Sequence, residues 1–487
     1  MSIARNTLFN LLGALVPVVV SIITIPVYLS VIGLDRFGVL SLCLLLVGYF
    51  NFFEFGLGPA TSQKLATLHE ASPDTRSNLF WTALTMSAAL ATVASLAVIP
   101  IVHVGVEYLN TAPNIREEVK YTSILLALTL AFGIMQSILS GALSGRQDFL
   151  RLNTIMSLGN VATAVFPLLT AISFSSNIYY LIGALLLARL IVLGLLLWAC
   201  INVVPIYSFR LSSRKEVRGM LQFGGWTTVT GVINPILVYL DRFAIGAVIS
   251  SAAVALYTIP FSLVSQLSVI PAALASALMP RLAAATNQEA AQLSFRAVQT
   301  LLVIVTPLTI LVVGVSGPFL GMWIGTTSEA SVPVAHLLLF GFWVNSLARV
   351  PLVRLQARGR PDILAKLHVA EIIPYLVLLY ACMRAFGLPG AAFAWSVRTM
   401  IDAVALFILN RPVGIRLRTL VLHGAMVSCA IAIVLLRNGW EEILLMTGLL
   451  IVAGMISLHN MPSEVSAMIR GATAELVKRL RLPNSRR

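Results

Sequence analysis

Charged side chains are scarce in this chain of 487 residues. Asp, Glu, Lys and Arg make up 11% of it, whereas apolar residues make up 58%. A soluble domain is about a quarter charged. Apolar runs of about 20 residues, the length of a helix that crosses a bilayer, recur along the whole chain. The composition therefore argues against a soluble protein, and the lack of short alternating segments argues against a β-barrel.

Cysteine and enzyme motifs are also rare or missing. The four cysteines, Cys43, Cys200, Cys382 and Cys429, lie in apolar runs without metal or redox spacing. We therefore expect small buried hydrophobic side chains at these positions. Neither a GxxxxGK[ST] phosphate loop nor an HExxH zinc motif occurs. The sequence thus predicts no enzyme, no catalytic residue, no cofactor and no metal site.

Apolar segments separated by charged or Pro/Gly-rich breaks divide the chain into about 14 spans. The first is too long for the core of a cleaved signal peptide, and the others have about the length that a bilayer requires. Their approximate limits are 8–32, 38–60, 78–103, 120–143, 152–173, 178–203, 222–249, 254–280, 297–320, 332–353, 363–384, 388–410, 419–436 and 440–458. We expect an all-α polytopic membrane protein.

Lys and Arg are distributed unevenly between alternate connections. The N-terminus, the even-numbered loops and the C-terminal tail contain 24 of them, and the odd-numbered loops contain 5. Because basic residues accumulate on the cytoplasmic side of a membrane, both termini are expected in the cytoplasm. The net charge of +14 is then a sign of topology and not of nucleic-acid binding.

A short motif occurs twice. GRQDFL (145–150) joins the fourth and fifth spans, and GRPDIL (359–364) joins the tenth and eleventh, 214 residues later. A weaker match aligns Pro17 with Pro235 at a shift of 218 residues. These matches indicate a six-span unit that is repeated in the same orientation. Parallel repeats of this kind are a transporter architecture, with the substrate bound between the halves.

The predicted organisation has five parts. They are a six-helix bundle (1–206), a cytoplasmic linker (207–221), a second six-helix bundle (222–411), an extra helix pair (412–458) and a basic tail (459–487). In the tail, apolar residues recur at helical spacing among Lys and Arg. This pattern predicts an amphipathic helix on the inner membrane surface, with a solvated tail as the alternative.

Eight ionisable side chains lie inside the predicted spans, where each costs at least about 2.5–3.5 kcal/mol at the bilayer centre. They are Glu54, Arg189, Asp241, Arg242, Arg349, Glu371, Arg398 and Asp402. Arg398 and Asp402 are one helical turn apart and are predicted to form a salt bridge. Arg349 and Glu371 are at similar depths on neighbouring spans, which makes them a second candidate pair.

Asp241 and Glu54 each have more than one possible role. Asp241 and Arg242 are about 100° apart around a helix, so we expect each to find a separate partner. Glu54 lies in a glycine-rich segment where the helix is expected to bend, and its carboxylate is expected to satisfy nearby backbone groups or an arginine. Ion coupling is the alternative to structural pairing for Glu54, and also for Asp241, Glu371 and Asp402.

Longer stretches resemble a known family. NLLGALVPVVVSIITIPVYLSVIGLDRFGVLSL (10–42), followed by GYFNFFEFGLGPA (48–60), is similar to the amino-terminal signature of polysaccharide exporters. LSGALSGRQDFLRLN (139–153) and YLDRFAIGAVISSAAVALY (239–257) resemble later parts of the same proteins. The family includes the O-antigen and exopolysaccharide repeat-unit flippases. It belongs to the superfamily of multidrug extruders, oligosaccharidyl-lipid flippases and polysaccharide exporters.

The resemblance implies two six-helix bundles around a central cavity, in a bacterial inner membrane. The implied cargo is an oligosaccharide on a polyprenyl pyrophosphate, moved to the outer leaflet by alternating access. H⁺ or Na⁺ coupling, contacts with membrane lipids and a polysaccharide polymerase or assembly partner are further expectations. The extra helix pair exceeds the usual twelve, so a flippase of the peptidoglycan precursor is an alternative. A cation-coupled multidrug exporter is another, whereas a glycosyltransferase or polymerase is disfavoured because the longest outer loop (104–119) is short.

This cargo gives the four intramembrane basic residues a function. All four are Arg, whose planar fork of donors matches phosphate oxygens. Arg189 has no carboxylate within its own span, and Arg398 has a similar depth in span 12, the counterpart of span 6. Both are predicted to bind the pyrophosphate, with a structural bridge as the alternative. Arg242 and Arg349 are candidates for the same role, with structural pairing as their alternative.

Overall fold

The computed structural model describes residues 3–68, 72–204, 237–410, 417–437 and 439–459, and all of their side chains except those of 3–18 and 51–52. These residues form helices and no strand. The helices are α1 Ile3–Phe50, α2 Leu57–Thr67, α3 Pro73–Glu107, α4 Pro113–Gly145, α5 Phe149–Ser173, α6 Ile178–Val203, α7 (237–248), α8 Ser251–Gln266, α9 Val269–Ala284, α10 Asn287–Ile324, α11 Ser328–Ala357, α12 Pro361–Leu409, α13 Leu417–Leu436 and α14 Trp440–His459.

Two of the helices are too long to cross a bilayer once. α1 has 48 residues and α12 has 49, which is about 70 Å at 1.5 Å per residue. Each is broken at a glycine with left-handed backbone, Gly33 (φ 77) in α1 and Gly387 (φ 62) in α12. Side chains disfavour this conformation, which glycine adopts freely. Each glycine therefore divides one long helix into two arms. Both arms of α12 and the first arm of α1 match predicted spans, whereas the predicted span 38–60 continues past the end of α1 into α2.

Nine helical stretches in the described part of the chain are long and apolar enough to cross a membrane. The number is ten if α8 and α9, which are bent by 44° at their junction, form one span. Three of the stretches overlap two predicted spans each. They are Val19–Phe50 in α1, the arms of α12 and the run Asn287–Ala357. The helices confirm the prediction of an all-α polytopic membrane protein.

The first compact unit comprises residues 1–259. In it α4 packs against α2, α3 and α6, and α5 packs against α1 and α6. The contact between α2 and α4 is close enough to require glycine, because a Cβ atom on Gly141 would lie 2.3 Å from the carbonyl oxygen of Gly58. Small residues let membrane helices approach each other in this way.

The second compact unit comprises residues 260–487. α11 packs against α9, α10 and α12, while α13 and α14 pack against α10 and against each other. At the start of α10, Thr286 and Glu289 form a capping box that satisfies the first backbone donors. The predicted extra helix pair is thus present and packs against the second unit's own helices.

Some predicted features fall outside the described residues. These are the linker 207–221 and nearly all of the basic tail, residues 460–487. The boundaries of the two predicted bundles remain predictions. The boundary between the two compact units falls within α8, after Ile259.

Candidate functional site

Four ionisable side chains meet between the two arms of α12. Arg398 Nη1 lies 3.6 Å from Glu371 Oε2, and His368 Nε2 lies 3.7 Å from Asp402 Oδ1. The two carboxylates are buried, with 8% of Glu371 and 7% of Asp402 exposed. The guanidinium of Arg398 also lies over the ring of Tyr375, 5.4 Å from its centroid. The second unit therefore contains a buried group of opposite charges, which we call the α12 cluster.

Helical spacing brings the members of the α12 cluster together. His368, Glu371 and Tyr375 follow one another at intervals of three and four residues on the first arm. Arg398 and Asp402 are four residues apart on the second arm. These intervals place the side chains of each arm on one helix face. The two faces meet because the chain reverses between the arms.

The reversal depends on two glycines. Gly387 takes the left-handed conformation that breaks the helix. A Cβ atom on Gly390 would lie 2.0 Å from the carbonyl oxygen of Cys382 on the first arm. Only a hydrogen atom fits there, so the second arm passes against the backbone of the first. This close approach allows side chains of moderate length to meet across the pair.

The α12 cluster has one more acid than it has permanent cations. Two carboxylates face one guanidinium, and neither oxygen of Glu371 has a hydrogen-bond partner among the described residues. Buried carboxylates that share a site repel each other, and a bound proton relieves the repulsion. No three His, Cys, Asp or Glu side chains of the described part of the chain converge to hold a metal ion. The arrangement can therefore hold a proton.

Two predicted pairings differ from the structure. The predicted bridge from Arg398 to Asp402 is wrong, because Arg398 pairs with Glu371 and Asp402 faces His368. Both side chains point toward the opposite arm, so contacts across the pair replace contacts along one helix. Glu371 is consequently not the partner of Arg349, and no carboxylate of the described residues lies within 4 Å of Arg349.

Arg189 on α6 has a neutral partner. Its Nη1 donates to Gln136 Oε1 on α4 at 3.1 Å, and Gln136 Nε2 donates to the carbonyl oxygen of Arg189 at 2.7 Å. Its Nε is shielded from solvent and has no hydrogen-bond partner among the described residues. Within that part of the chain no carboxylate lies within 4 Å of the guanidinium. The first unit thus holds a cation whose charge no described acid balances.

The prediction that Asp241 and Arg242 find separate partners is wrong. Asp241 Oδ1 accepts hydrogen bonds from the backbone nitrogen of Arg242 at 2.8 Å and from its Nη1 at 3.2 Å. Asp241 Oδ2 accepts one from the hydroxyl of Tyr257 on α8 at 2.6 Å. The arginine side chain folds back along α7, where Nη1 also donates to the carbonyl oxygen of Val238. Its length overcomes the angular separation, and this closed, buried arrangement fits a structural role for Arg242.

The helix bends at Glu54, as the sequence predicts. A 3₁₀ turn covers Asn51–Glu54, and Phe55 and Gly56 then have left-handed φ values of 50 and 63. The carboxylate of Glu54 faces the hydroxyl of Ser137 on α4. This contact joins the bend to the neighbouring helix, which fits the structural interpretation of Glu54.

An apolar cavity of about 310 Å³ lies in the second unit between α8, α10 and α11. Ser316 lines it and shares a hydrogen bond of 3.0 Å with Nε2 of the buried His336. Neither Arg349 nor Arg398 lines this cavity. The cavity is therefore separate from the predicted substrate-binding arginines.

Three partners were missed by sequence reasoning: His368, Tyr375 and Gln136. His368 lies three residues before Glu371, so helical spacing alone could have found it. Gln136 is an uncharged polar side chain inside a predicted span, so charge does not mark it. Nothing in the sequence marks Tyr375, because its contact with Arg398 depends on how the two arms meet.

Comparisons with known proteins find one matching family and a related sequence. A family model described as "Polysaccharide biosynthesis protein" matches residues 3–286. A protein of Shigella flexneri named "Putative O-antigen transporter" is 28% identical to this chain over 408 residues. The match covers 83% of this chain and 97% of that protein.

Solved structures share the fold. A multidrug resistance MATE family transporter of the MOP superfamily, in an inward-facing conformation, matches with a TM-score of 0.69 and 15% identity, over 84% of this chain and 98% of that one. The lipid II flippase MurJ, in an inward closed conformation, matches with a TM-score of 0.69 and 12% identity, over 93% and 97%. At these identities the likeness concerns the fold alone.

Proposed function

Since the chain belongs to the polysaccharide biosynthesis protein family, whose model matches residues 3–286, we propose that it is a flippase for surface polysaccharide biosynthesis. It moves oligosaccharide repeat units linked to polyprenyl pyrophosphate from the cytoplasmic to the outer leaflet of a bacterial inner membrane. Transport proceeds by alternating access. The family match carries the proposal, and the relative named as an O-antigen transporter supports it.

The pyrophosphate of the cargo is the part that arginine side chains recognise. We assign its binding to Arg189 and Arg398, each of which offers a planar fork of donors. The surroundings of Arg189 support this role. Its hydrogen-bond partner, Gln136, is neutral and therefore leaves the positive charge of the guanidinium unbalanced. Arg398 shares its charge with Glu371, so protonation of that carboxylate frees the guanidinium for an anion. Arg349, with no described carboxylate nearby, is a further candidate, and Arg242 is held by Asp241.

We assign proton coupling to the α12 cluster. Glu371 faces Arg398 and Asp402, and Asp402 faces His368, all from α12 itself. From α11, the helix packed against α12, no charged side chain of the described residues lies within 4 Å of either carboxylate. A proton entering the cluster neutralises one acid and weakens its hold on Arg398. Proton uptake and cargo binding are linked in this way.

A second cargo has one structural observation in its favour. α13 and α14 correspond to the predicted extra helix pair, and the MurJ structure, a lipid II flippase, matches over 93% of this chain. The runner-up is therefore a flippase for the lipid-linked peptidoglycan precursor. It shares a polyprenyl pyrophosphate with the first cargo, so the arginine roles are the same in both.

The experiment that tests the function is deletion of the gene in its own host, with extraction and sidedness analysis of lipid-linked oligosaccharides. We expect repeat units to accumulate in the cytoplasmic leaflet and surface polysaccharide to be lost. Expression of the wild-type chain restores export, and expression of a chain truncated after Glu107 serves as the matched negative control.

Other outcomes contradict the proposal in recognisable ways. Accumulation of peptidoglycan precursor favours the second cargo. Accumulation of repeat units in the outer leaflet indicates a polymerase. Normal polysaccharide with increased sensitivity to cationic dyes indicates a multidrug exporter.

A further inference from the structure

The motif GRxDxL, which occurs twice in the sequence, forms different contacts in the two units. In the second copy Arg360 pairs with Asp362, with Nε 2.9 Å from Oδ1 and Nη2 3.1 Å from Oδ2. This hydrogen bonding raises the pKa of Arg360. In the first copy Asp148 pairs with Arg151, whose Nη1 lies 3.3 Å from Oδ2. The motif arginine of the first copy, Arg146, is therefore left without its acid.

The difference arises from where the helices end. The left-handed residue after the helix is Gly359 (φ 68) in the second copy, but Gln147 (φ 60), two motif positions later, in the first. Gly145 remains helical as the last residue of α4. A Cβ atom on it would lie 2.5 Å from the carbonyl oxygen of Ser62, so its place is fixed by close packing on α2. Asp148 consequently caps the start of α5 and is turned away from the motif arginine.

A second arginine lies at the same end of the first unit. α3 and α4 are antiparallel, and Ser87 Oγ on α3 donates to the carbonyl oxygen of Ile134 on α4 at 3.4 Å. A further bond between these helices has the same register. Arg76 lies eleven residues before Ser87, and Arg146 lies twelve residues after Ile134. The register therefore places Arg76 and Arg146 opposite each other.

Both guanidinium groups carry donors that no described residue satisfies. Nε and Nη1 of Arg146 and Nε of Arg76 are shielded from solvent and have no hydrogen-bond partner among the described residues. No carboxylate in that part of the chain, Asp74 and Asp148 included, lies within 4 Å of either group. Shielded donors are almost always paired in folded proteins, and two neighbouring cations repel each other. An anion bound between them would accept hydrogen bonds from the unpaired donors and would offset the repulsion.

We propose that Arg76 and Arg146 form a binding site for the phosphate group of a lipid. Guanidinium forks match phosphate oxygens and keep their charge. Arg76 lies in the first turn of α3 and Arg146 directly follows α4. The connections after α2 and α4, which adjoin these residues, are predicted to be cytoplasmic from the distribution of Lys and Arg. At that level the phosphates of the inner leaflet are the abundant anions.

Two lipids share this chemistry. One is the pyrophosphate of the cargo before it is transported, and this assignment rests on the proposed function. The other is the phosphate of a resident anionic phospholipid. The second copy of the motif predicts no such site, because Asp362 already satisfies Arg360.

The test is binding of soluble probes to the purified full-length chain in detergent, at low salt. The probes are farnesyl pyrophosphate, dioctanoyl phosphatidic acid and inorganic pyrophosphate. We expect Arg146→Ala and Arg76→Ala each to weaken binding of at least one lipid probe about tenfold to a hundredfold, the effect of losing a charge-assisted contact. Arg360→Ala is the matched control and is expected to leave binding unchanged.

The probe that is affected identifies the source. Weaker binding of farnesyl pyrophosphate indicates the cargo, and weaker binding of phosphatidic acid alone indicates a resident phospholipid. Affinities for both lipids that are unchanged in the two alanine variants would overturn the proposal. An equal loss in Arg360→Ala would overturn it too, because it indicates a general effect of surface charge.

A conservative variant tests the site if the alanine variants fail to fold. If the alanine variants do not accumulate, Arg146→Lys keeps the charge but not the fork, and is expected to weaken lipid binding by severalfold. Unchanged binding in Arg146→Lys then counts against the site. Because these measurements do not involve transport, the site can stand even if deletion of the gene leaves polysaccharide export intact, and only its assignment to the cargo then fails.

Discussion

Arg189 and Arg398 have corresponding places in the predicted repeats but opposite electrostatic surroundings. Arg189 is hydrogen-bonded to the neutral amide of Gln136, whereas Arg398 lies between a carboxylate and an aromatic ring. The first arrangement leaves a permanent positive charge. The second balances the charge and adds groups that take up or release protons. The predicted repeat therefore does not extend to the electrostatic surroundings of these two arginines.

The largest effect, a loss of stability, is expected from Arg398→Ala. It leaves Glu371 and Asp402 buried without their cation, and removing one partner of a buried ion pair typically costs about 3–5 kcal/mol. We expect the variant to unfold at a much lower temperature in detergent and to accumulate poorly in membranes. The measurement is thermal unfolding of the purified protein, together with its abundance in the membrane fraction.

The double variant Arg398→Ala/Glu371→Gln is the control for this expectation. It removes the unpaired acid together with the cation, and part of the lost stability should return. A melting temperature for Arg398→Ala equal to that of the wild type would mean that the α12 cluster is not a structural ion pair.

A smaller effect on stability but a clear effect on transport is expected from Arg189→Ala. In its proposed role Arg189 makes a charge-assisted contact with the pyrophosphate, worth about 1.5–3 kcal/mol. Loss of that contact should lower transport roughly tenfold to a hundredfold. Arg189→Lys should restore it only in part, because a point charge replaces a fork. The measurement is flipping of lipid-linked oligosaccharide in reconstituted vesicles at matched protein content.

Two results would break the comparison between the halves. Normal transport by Arg189→Ala removes the role of this arginine in binding cargo. Failure of the variant to accumulate shows that the contact with Gln136 is structural.

The smallest effect on transport is expected from Glu371→Gln. This substitution keeps the size of the side chain but fixes it in a neutral form. Vesicle transport without a pH gradient should remain close to the wild-type rate. A gradient that is acidic on the outer side should accelerate the wild type and leave the variant unaffected. Glu329→Gln, at an exposed position on α11, is the matched control. Equal acceleration in Glu371→Gln would place coupling elsewhere.

Much of the fold could be read from the sequence, because bilayer thickness imposes a length on each apolar run. The bend at Glu54 was also predictable from the glycines around it. Local signals mark several helix starts, such as the Thr286 and Glu289 capping box. Features set along one chain segment are therefore accessible to sequence reasoning.

The pairing of intramembrane charges was less accessible. Spacing along one helix favoured Arg398 with Asp402, but the facing arm supplied Glu371 instead. For Asp241 and Arg242, the angle between neighbouring residues was a poor guide because the arginine side chain folds back along its helix. Contacts of this kind depend on side-chain reach and on how segments meet, which a sequence read one helix at a time does not contain.

The break at Gly387 has a consequence for how the protein is made. The two arms of α12 are joined by a reversal too short to hold a topology signal of its own, so they are best inserted into the membrane together as a helical hairpin. A Cβ atom at Gly387 would meet nothing within 4 Å, so only the backbone conformation demands glycine there. A substitution that straightened the helix would remove one crossing. Every later segment of the nascent chain would then emerge on the opposite side of the membrane.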